Sequence, residues 1–224
     1  MTFRIAFVAA AVLGLVSPTI AQDEHRFEIT GAGGWTASDG VSGDSILAGD
    51  GNVYNRIDPK DSFSARLSGG YYVTPNVLLE VLWDRQFSSL NLGGGTNTRG
   101  LGNFNVDNVH GMVAYHFGES DAPIRPFIGG GLGWTNFGSI DVTGPQGESR
   151  AIDGEARFST RLEAGVKMAA SPRLAFRAGV HFTPTYVKSD ATGWWCDPYW
   201  GCYVTGDAQY ANQWEFSGGL SFRF

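Results

Sequence analysis

The chain has 224 residues, 32 of them Gly, with 13 % aromatic and only 17 % charged residues, and a formal net charge of −6. Typical soluble domains carry about 25 % charged residues. The aromatic and apolar content excludes a disordered chain, the acidic balance argues against nucleic acid as a partner, and the lack of a Gly-X-Y period excludes collagen. Closely spaced strands at a membrane boundary suit this composition.

Arg4 precedes an uninterrupted apolar run over residues 5–16, and Thr19 and Ala21 then place small residues at −3 and −1 of a cut after Ala21. This reads as a secretory signal peptide over 1–21, leaving 22–224 as one exported domain. The run is shorter than the roughly 20 residues of a spanning helix, and no later run approaches that length. A membrane location after export therefore requires a closed barrel, because lipid offers the backbone no hydrogen-bond partners.

The remaining chain alternates with period two. From Trp214 to Phe224 the even positions are Trp, Phe, Gly, Leu, Phe and Phe, while the odd ones are Glu, Ser, Gly, Ser and Arg. Residues 156–168 repeat the pattern. Eight strands are predicted, near 26–36, 62–73, 77–88, 104–117, 125–137, 156–169, 173–187 and 212–224. Short connections follow the second, fourth and sixth. Long ones, 37–61, 89–103, 138–155 and 188–211, follow the first, third, fifth and seventh. Strand length and the short–long alternation predict an all-β, closed, antiparallel, up-and-down, eight-stranded transmembrane β-barrel with both termini on the short-turn side. Trp35, Tyr72, Trp83, Phe87, Tyr115, Phe117, Trp134, Phe137, Tyr186, Trp214 and Phe224 fall near strand ends and are expected to form two interfacial girdles.

The polar parity then faces the lumen. It brings inward Glu28, Arg66, Glu80, Asp84, Arg157, Arg161, Glu163, Lys167, Arg177, Glu215 and Arg223, with His110, His116 and His181. Six cations against five carboxylates can pair internally, and an eight-stranded barrel is just wide enough for side chains to fill. Arg85 and Asp107 break the parity and fall on the lipid side, toward the long-loop end. Gly129–Gly133 superficially resembles a phosphate loop but lacks the following helix and Lys-Ser/Thr.

The terminal strand Trp214-Glu-Phe-Ser-Gly-Gly-Leu-Ser-Phe-Arg-Phe224 resembles the last strand of bacterial outer-membrane barrels, whose terminal aromatic, here Phe224, is the signal read by the barrel assembly machinery. Arg125-Pro-Phe-Ile-Gly-Gly-Gly-Leu-Gly-Trp134 and Ser68-Gly-Gly-Tyr-Tyr-Val-Thr-Pro-Asn76 resemble strands of the outer membrane protein A-like eight-stranded family. The resemblance implies a Gram-negative cell outer membrane location and contact with outer-membrane lipid and lipopolysaccharide; this chain departs from the family in that no peptidoglycan-binding domain is expected after the barrel, so a cell-wall tether is not implied.

Candidate chemistry is sparse. Cys196 and Cys202 are the only cysteines, and export to an oxidising compartment predicts a disulfide between them. Trp194, Trp195, Tyr199, Trp200 and Tyr203 crowd the same loop, 188–211. They are expected either to contact lipopolysaccharide, a neighbouring barrel or another extracellular ligand, or to close the barrel mouth. Asp39, Asp44, Asp50, Asn52, Asn55 and Asp58 enrich loop 37–61 in oxygen ligands without the twelve-residue calcium pattern, so a solvated loop is expected, with no metal and no cofactor. His181-Phe-Thr183 only approaches the His-x-Ser pair of lipid A deacylases, which face lipid, whereas His181 has lumen parity. The sequence therefore predicts a non-enzymatic barrel with a structural and surface-interaction role. A narrow passive pore and, less favoured, a lipid A-modifying enzyme are the alternatives. If the loop aromatics are a contact surface, replacing Trp194, Trp195 and Trp200 by Ser abolishes ligand binding and leaves heat-modifiable gel migration intact; loss of that migration would make them structural.

Overall fold

The computed structural model describes residues 26–47, 52–94, 97–143, 149–152, 154–186, 195–197, 201–203 and 210–224. The signal-peptide reading of 1–21 lies outside them. In chain order the strands are β1 (Phe27–Ser38), β2 (Val41–Leu47), β3 (Val53–Pro59), β4 (Ser62–Thr74), β5 (Val77–Gly94), β6 (Asn97–His116) and β7 (Ile124–Phe137). There follow β8 (Ile140–Thr143), β9 (Ser149–Ile152), β10 (Glu155–Ala169), β11 (Leu174–Tyr186), β12 (Trp195–Asp197), β13 (Gly201–Tyr203) and β14 (Tyr210–Arg223).

Eight of these close a ring. Each of β1, β4, β5, β6, β7, β10, β11 and β14 is antiparallel to the next, and β14 returns to β1 through an unbroken ladder from Glu28–Arg223 to Ser38–Gln213. The result is a closed, up-and-down, all-β barrel, and no helix among the described residues is long and apolar enough to cross a membrane. Alternation builds its wall. Phe27, Ile29, Trp35, Leu67, Val81, Leu132, Trp134, Leu162 and Phe216 stand outward and exposed, while their neighbours in sequence turn inward. Large apolar side chains on the outside and charges inside reverse the usual soluble arrangement, as lipid requires.

Side chains anchor the short turns. Thr74 Oγ1 accepts from the backbone N–H of Val77 at 3.0 Å, and Asn76 Nδ2 donates to the carbonyls of His116 and Gly118 at 2.6 and 2.8 Å. Gly118 turns with φ +86°, a left-handed conformation that other residues rarely adopt. At the opposite rim the barrel extends further than the sequence predicts. Within stretch 89–103, read as loop from its Gly, Asn and Ser, residues 89–94 continue β5 and 97–103 belong to β6, because Leu90, Leu92 and Phe104 keep the inward alternation. The pairing slips once, between Leu90–Gly102 and Asn91–Gly100. Stretch 37–61 supplies β2 and β3, and β3 adds to β5 from Arg56–Gly93 to Pro59–Leu90. This collar has its own apolar clusters: Leu90, Phe104 and Val106 with Leu101 and Phe137, and Tyr54 with Leu92.

Glycine on the inner face of β7 lets the wall close around bulky lumen groups. A Cβ on Gly131 would lie 2.2 Å from the Gly111 carbonyl oxygen and 2.4 Å from Met112 Sδ, whereas one on Gly111, facing outward on the next strand, meets nothing within 4 Å. Gly131→Ala therefore lowers the yield of heat-modifiable barrel on refolding, and Gly111→Ala leaves it unchanged; equal yields would remove close approach as the reason for Gly131.

Candidate functional site

The polar interior is built in tiers. In the middle tier Glu215 from β14 stands between two guanidinium groups: Arg66 Nη2 of β4 and Arg161 Nη2 of β10 each donate to its Oε2 at 2.5 Å. Asp84 from β5 lies 3.8 Å from the same two arginines. Ser64 Oγ donates to Glu215 Oε1 at 3.2 Å, and Asn108 Nδ2 donates to Asp84 Oδ1 at 3.1 Å. Arg161 is only 1 % exposed. A charge so buried persists only when paired and hydrogen-bonded. One step toward the short-turn end, Arg177 of β11 donates through Nη1 to Glu80 and through Nη2 to Glu163 at 2.9 Å each, and Ser68 Oγ donates to Glu80.

His181 joins these groups. Its Nδ1 lies 3.3 Å from Glu163 Oε2 and its Nε2 lies 2.8 Å from Ser217 Oγ, the order of a carboxylate, base and hydroxyl relay. Arg66 Nη1, however, reaches the same Nε2 at 2.9 Å. A void of 10 Å³ borders Arg66, Arg177, His181 and Ser217. That is about the space one water needs.

The tiers toward either end differ. At the short-turn end Lys167 and Arg223 share Glu28, Lys167 Nζ donates to Tyr72 Oη at 3.1 Å, and Arg223 stacks over the Tyr72 ring at 4.4 Å. Tyr72, expected in a girdle, thus points into the lumen; its neighbour Tyr71 faces out and packs on Phe27 at 5.0 Å. Toward the collar the interior turns to neutral polar groups. Thr135 Oγ1 donates to Asn108 Oδ1 at 2.6 Å, Ser159 Oγ meets His110 Nε2 at 2.9 Å, and Gln213 Nε2 donates to Gln86 at 3.0 Å.

Ten of the eleven charged residues expected in the lumen thus share one connected interior. Arg157 does not: it pairs at the exposed rim with Glu155 of its own strand at 2.5 Å. Arg125, whose place the sequence reading passed over, is inward and 3 % exposed. Arg85 and Asp107 do face outward, directly opposite each other on β5 and β6. They form a two-point pair at 2.8 Å, with Trp83 Nε1 donating to Asp107 at 3.1 Å. The β12–β13 ladder sets Cys196 opposite Cys202. Trp194, Tyr199 and Trp200 lie outside the described residues, as do the side chains of Trp195 and Tyr203. In loop 37–61 Arg56 holds Asp58. Removing the central acceptor tests the plug: Glu215→Ala leaves two buried guanidinium groups with Asp84 at 3.8 Å as their remaining carboxylate and costs ~3–5 kcal/mol, read as a lower midpoint of the heat-induced gel shift, whereas Arg157→Ala costs about 0–1 kcal/mol.

The architecture agrees with comparisons to known proteins. The profile of the outer membrane protein beta-barrel domain matches residues 7–224. Outer membrane protein W of Vibrio cholerae is 32 % identical over 133 residues, 57 % of this chain and 58 % of that protein, so the match spans less than two thirds of this curated relative. Among solved structures, the outer membrane protein OprG of Pseudomonas aeruginosa superposes with TM-score 0.62 at 14 % identity over 89 % of this chain and 96 % of that one. Neisserial surface protein A gives 0.56 at 16 % identity over 88 % and 97 %. At such identities the superpositions speak for the fold alone. With a ring of eight spanning strands, an apolar exterior and a family profile that runs through the whole barrel, the chain belongs to the outer-membrane β-barrel domain family.

Proposed function

We propose that the protein resides in the outer membrane as a sealed barrel with a structural and surface-presenting role: the wall anchors it in lipid and the collar and long loops meet partners outside. The observation that carries this reading is the Arg66–Glu215–Arg161–Asp84 plug with the Arg177–Glu80–Glu163 cluster beneath it. Together they draw on β4, β5, β10, β11 and β14, so buried ion pairs bridge the barrel across its whole section. The apolar clusters of the collar sit above them. A solute crossing the lumen would have to separate paired, desolvated charges.

The non-enzymatic part of the proposal rests on His181. A base needs a free lone pair for the hydroxyl it activates. Here the fixed positive charge of Arg66 stands at the same nitrogen as Ser217, and the adjoining void admits a water but no acyl or phosphoryl substrate. In planar bilayers the purified protein gives no single-channel steps. Reproducible steps whose conductance changes with Glu80→Gln or Arg161→Gln would overturn the sealed-barrel reading in favour of a narrow pore. Lipid A mass spectra that differ between cells with and without the gene would overturn the non-enzymatic one.

A further inference from the structure

We propose that the short-turn mouth of the barrel holds an oxyanion of the phosphate class, bound by Arg125 together with Lys167 and Arg223. Among the described residues the tier carries three cations and one inward carboxylate, Glu28, which is already shared by Lys167 and Arg223. Among the described residues Arg125 is the one inward cation with no carboxylate within ion-pair distance. Its Nη2 donates to the Pro75 carbonyl at 2.9 Å, while Nε and Nη1 are buried without a partner. Glu119 and Asp121, on the exposed turn leading into β7, do not reach it.

The ladder sharpens the point. Arg125 and Lys167 are direct cross-strand partners between β7 and β10, and Lys167 is in turn opposite Arg177 between β10 and β11. Like charges directly opposite destabilise a sheet, and a guanidinium 3 % exposed is costly without an anion. Glu80 and Glu163 answer Arg177, and Glu28 answers Lys167. Among the described residues no carboxylate answers Arg125, whose Nε and Nη1 are buried without a partner. Phosphate oxygens fit what is left over, because Nε–H and Nη1–H are charge-assisted donors with nothing to donate to.

Arg125 lies behind the rim, 3 % exposed, so an anion meets the tier first at Arg223. The Arg223 side chain is 22 % exposed at the mouth, and the outward aromatics Phe27, Tyr71, Tyr115 and Phe117 ring this end. Such girdles mark headgroup depth. The phosphate has two sources, a phospholipid headgroup leaning over the rim or a free phosphate, and both present the same oxygens.

The test uses the whole barrel in maltoside micelles, which carry no phosphate. The midpoint of the heat-induced gel shift is measured with added inorganic phosphate, with added phosphatidylglycerol, and with sodium chloride at matched ionic strength. Binding to the folded state alone raises the midpoint, here by about 2–4 °C, and Arg125→Gln removes the rise. A rise with inorganic phosphate assigns the free ion; a rise with phosphatidylglycerol only assigns the headgroup. No rise beyond chloride with either, or an equal rise in Arg125→Gln, overturns the proposal. If that variant does not fold, the Arg125 Nε–H resonance of the unaltered protein decides: a shift on titration with whichever additive stabilises supports the site, and an unmoved resonance overturns it.

Discussion

The constraint on which this molecule depends is that hydrocarbon supplies no hydrogen-bond partner to a peptide group. A sheet in that medium cannot have an edge, so β14 must find β1, and the unbroken ladder between them is the condition for every other feature. Closure fixes the parity. Once one row of side chains is committed to lipid, the other is committed to a narrow interior, whatever its chemistry. Eight strands leave too little width for bulk water, so inward charges are desolvated and have to pair with one another. The glycines of the β7 inner face follow from the same crowding, since Gly131 stands where its neighbour's backbone and Met112 already fill the space.

Charge is not spread evenly down this interior. The middle tiers hold Arg66, Arg161 and Arg177 against Glu80, Asp84, Glu163 and Glu215, an excess of carboxylate. Among the described residues the short-turn tier holds Arg125, Lys167 and Arg223 against Glu28, an excess of cation. The inward set is nearly balanced as a whole and unbalanced in each layer. Toward the collar the interior becomes amide and hydroxyl, then apolar around Leu90, Phe104 and Val106. Among the described residues the inward cation without a carboxylate, Arg125, lies at the end where aromatic rings mark the headgroup layer.

Much of this was legible in the residues. Alternation named the lumen set strand by strand, and it placed Arg85 and Asp107 on the outside, where they neutralise each other across the β5–β6 ladder. Two misreadings share a cause, that parity is hard to follow at strand ends, and a third is one of depth. Tyr72 sits beside Tyr71 near the end of β4, and two adjacent aromatics do not announce which one turns in. Arg125 opens β7 next to Pro126 and is followed inward by Phe127 and a row of glycines, so the polar face that would reveal it is missing. Arg157 keeps lumen parity but lies beyond the deep tiers, where Glu155 is the nearer partner. The collar was hidden for another reason. Its Gly, Asn and Ser content carries turn chemistry, and only the packing of Leu90 and Leu92 against neighbouring strands keeps those residues extended.

The sequence by itself determined the fold class, the number of barrel strands and the face on which nearly every side chain lies. Those follow from local period and connection length, which need no knowledge of which strands meet. Tertiary structure decided the partners. Glu215, Arg66 and Arg161 come from three separated strands, and only register and closure bring them to one point. The same closure sets Arg125 directly opposite Lys167, a result of ladder alignment that no count of charges along the chain contains.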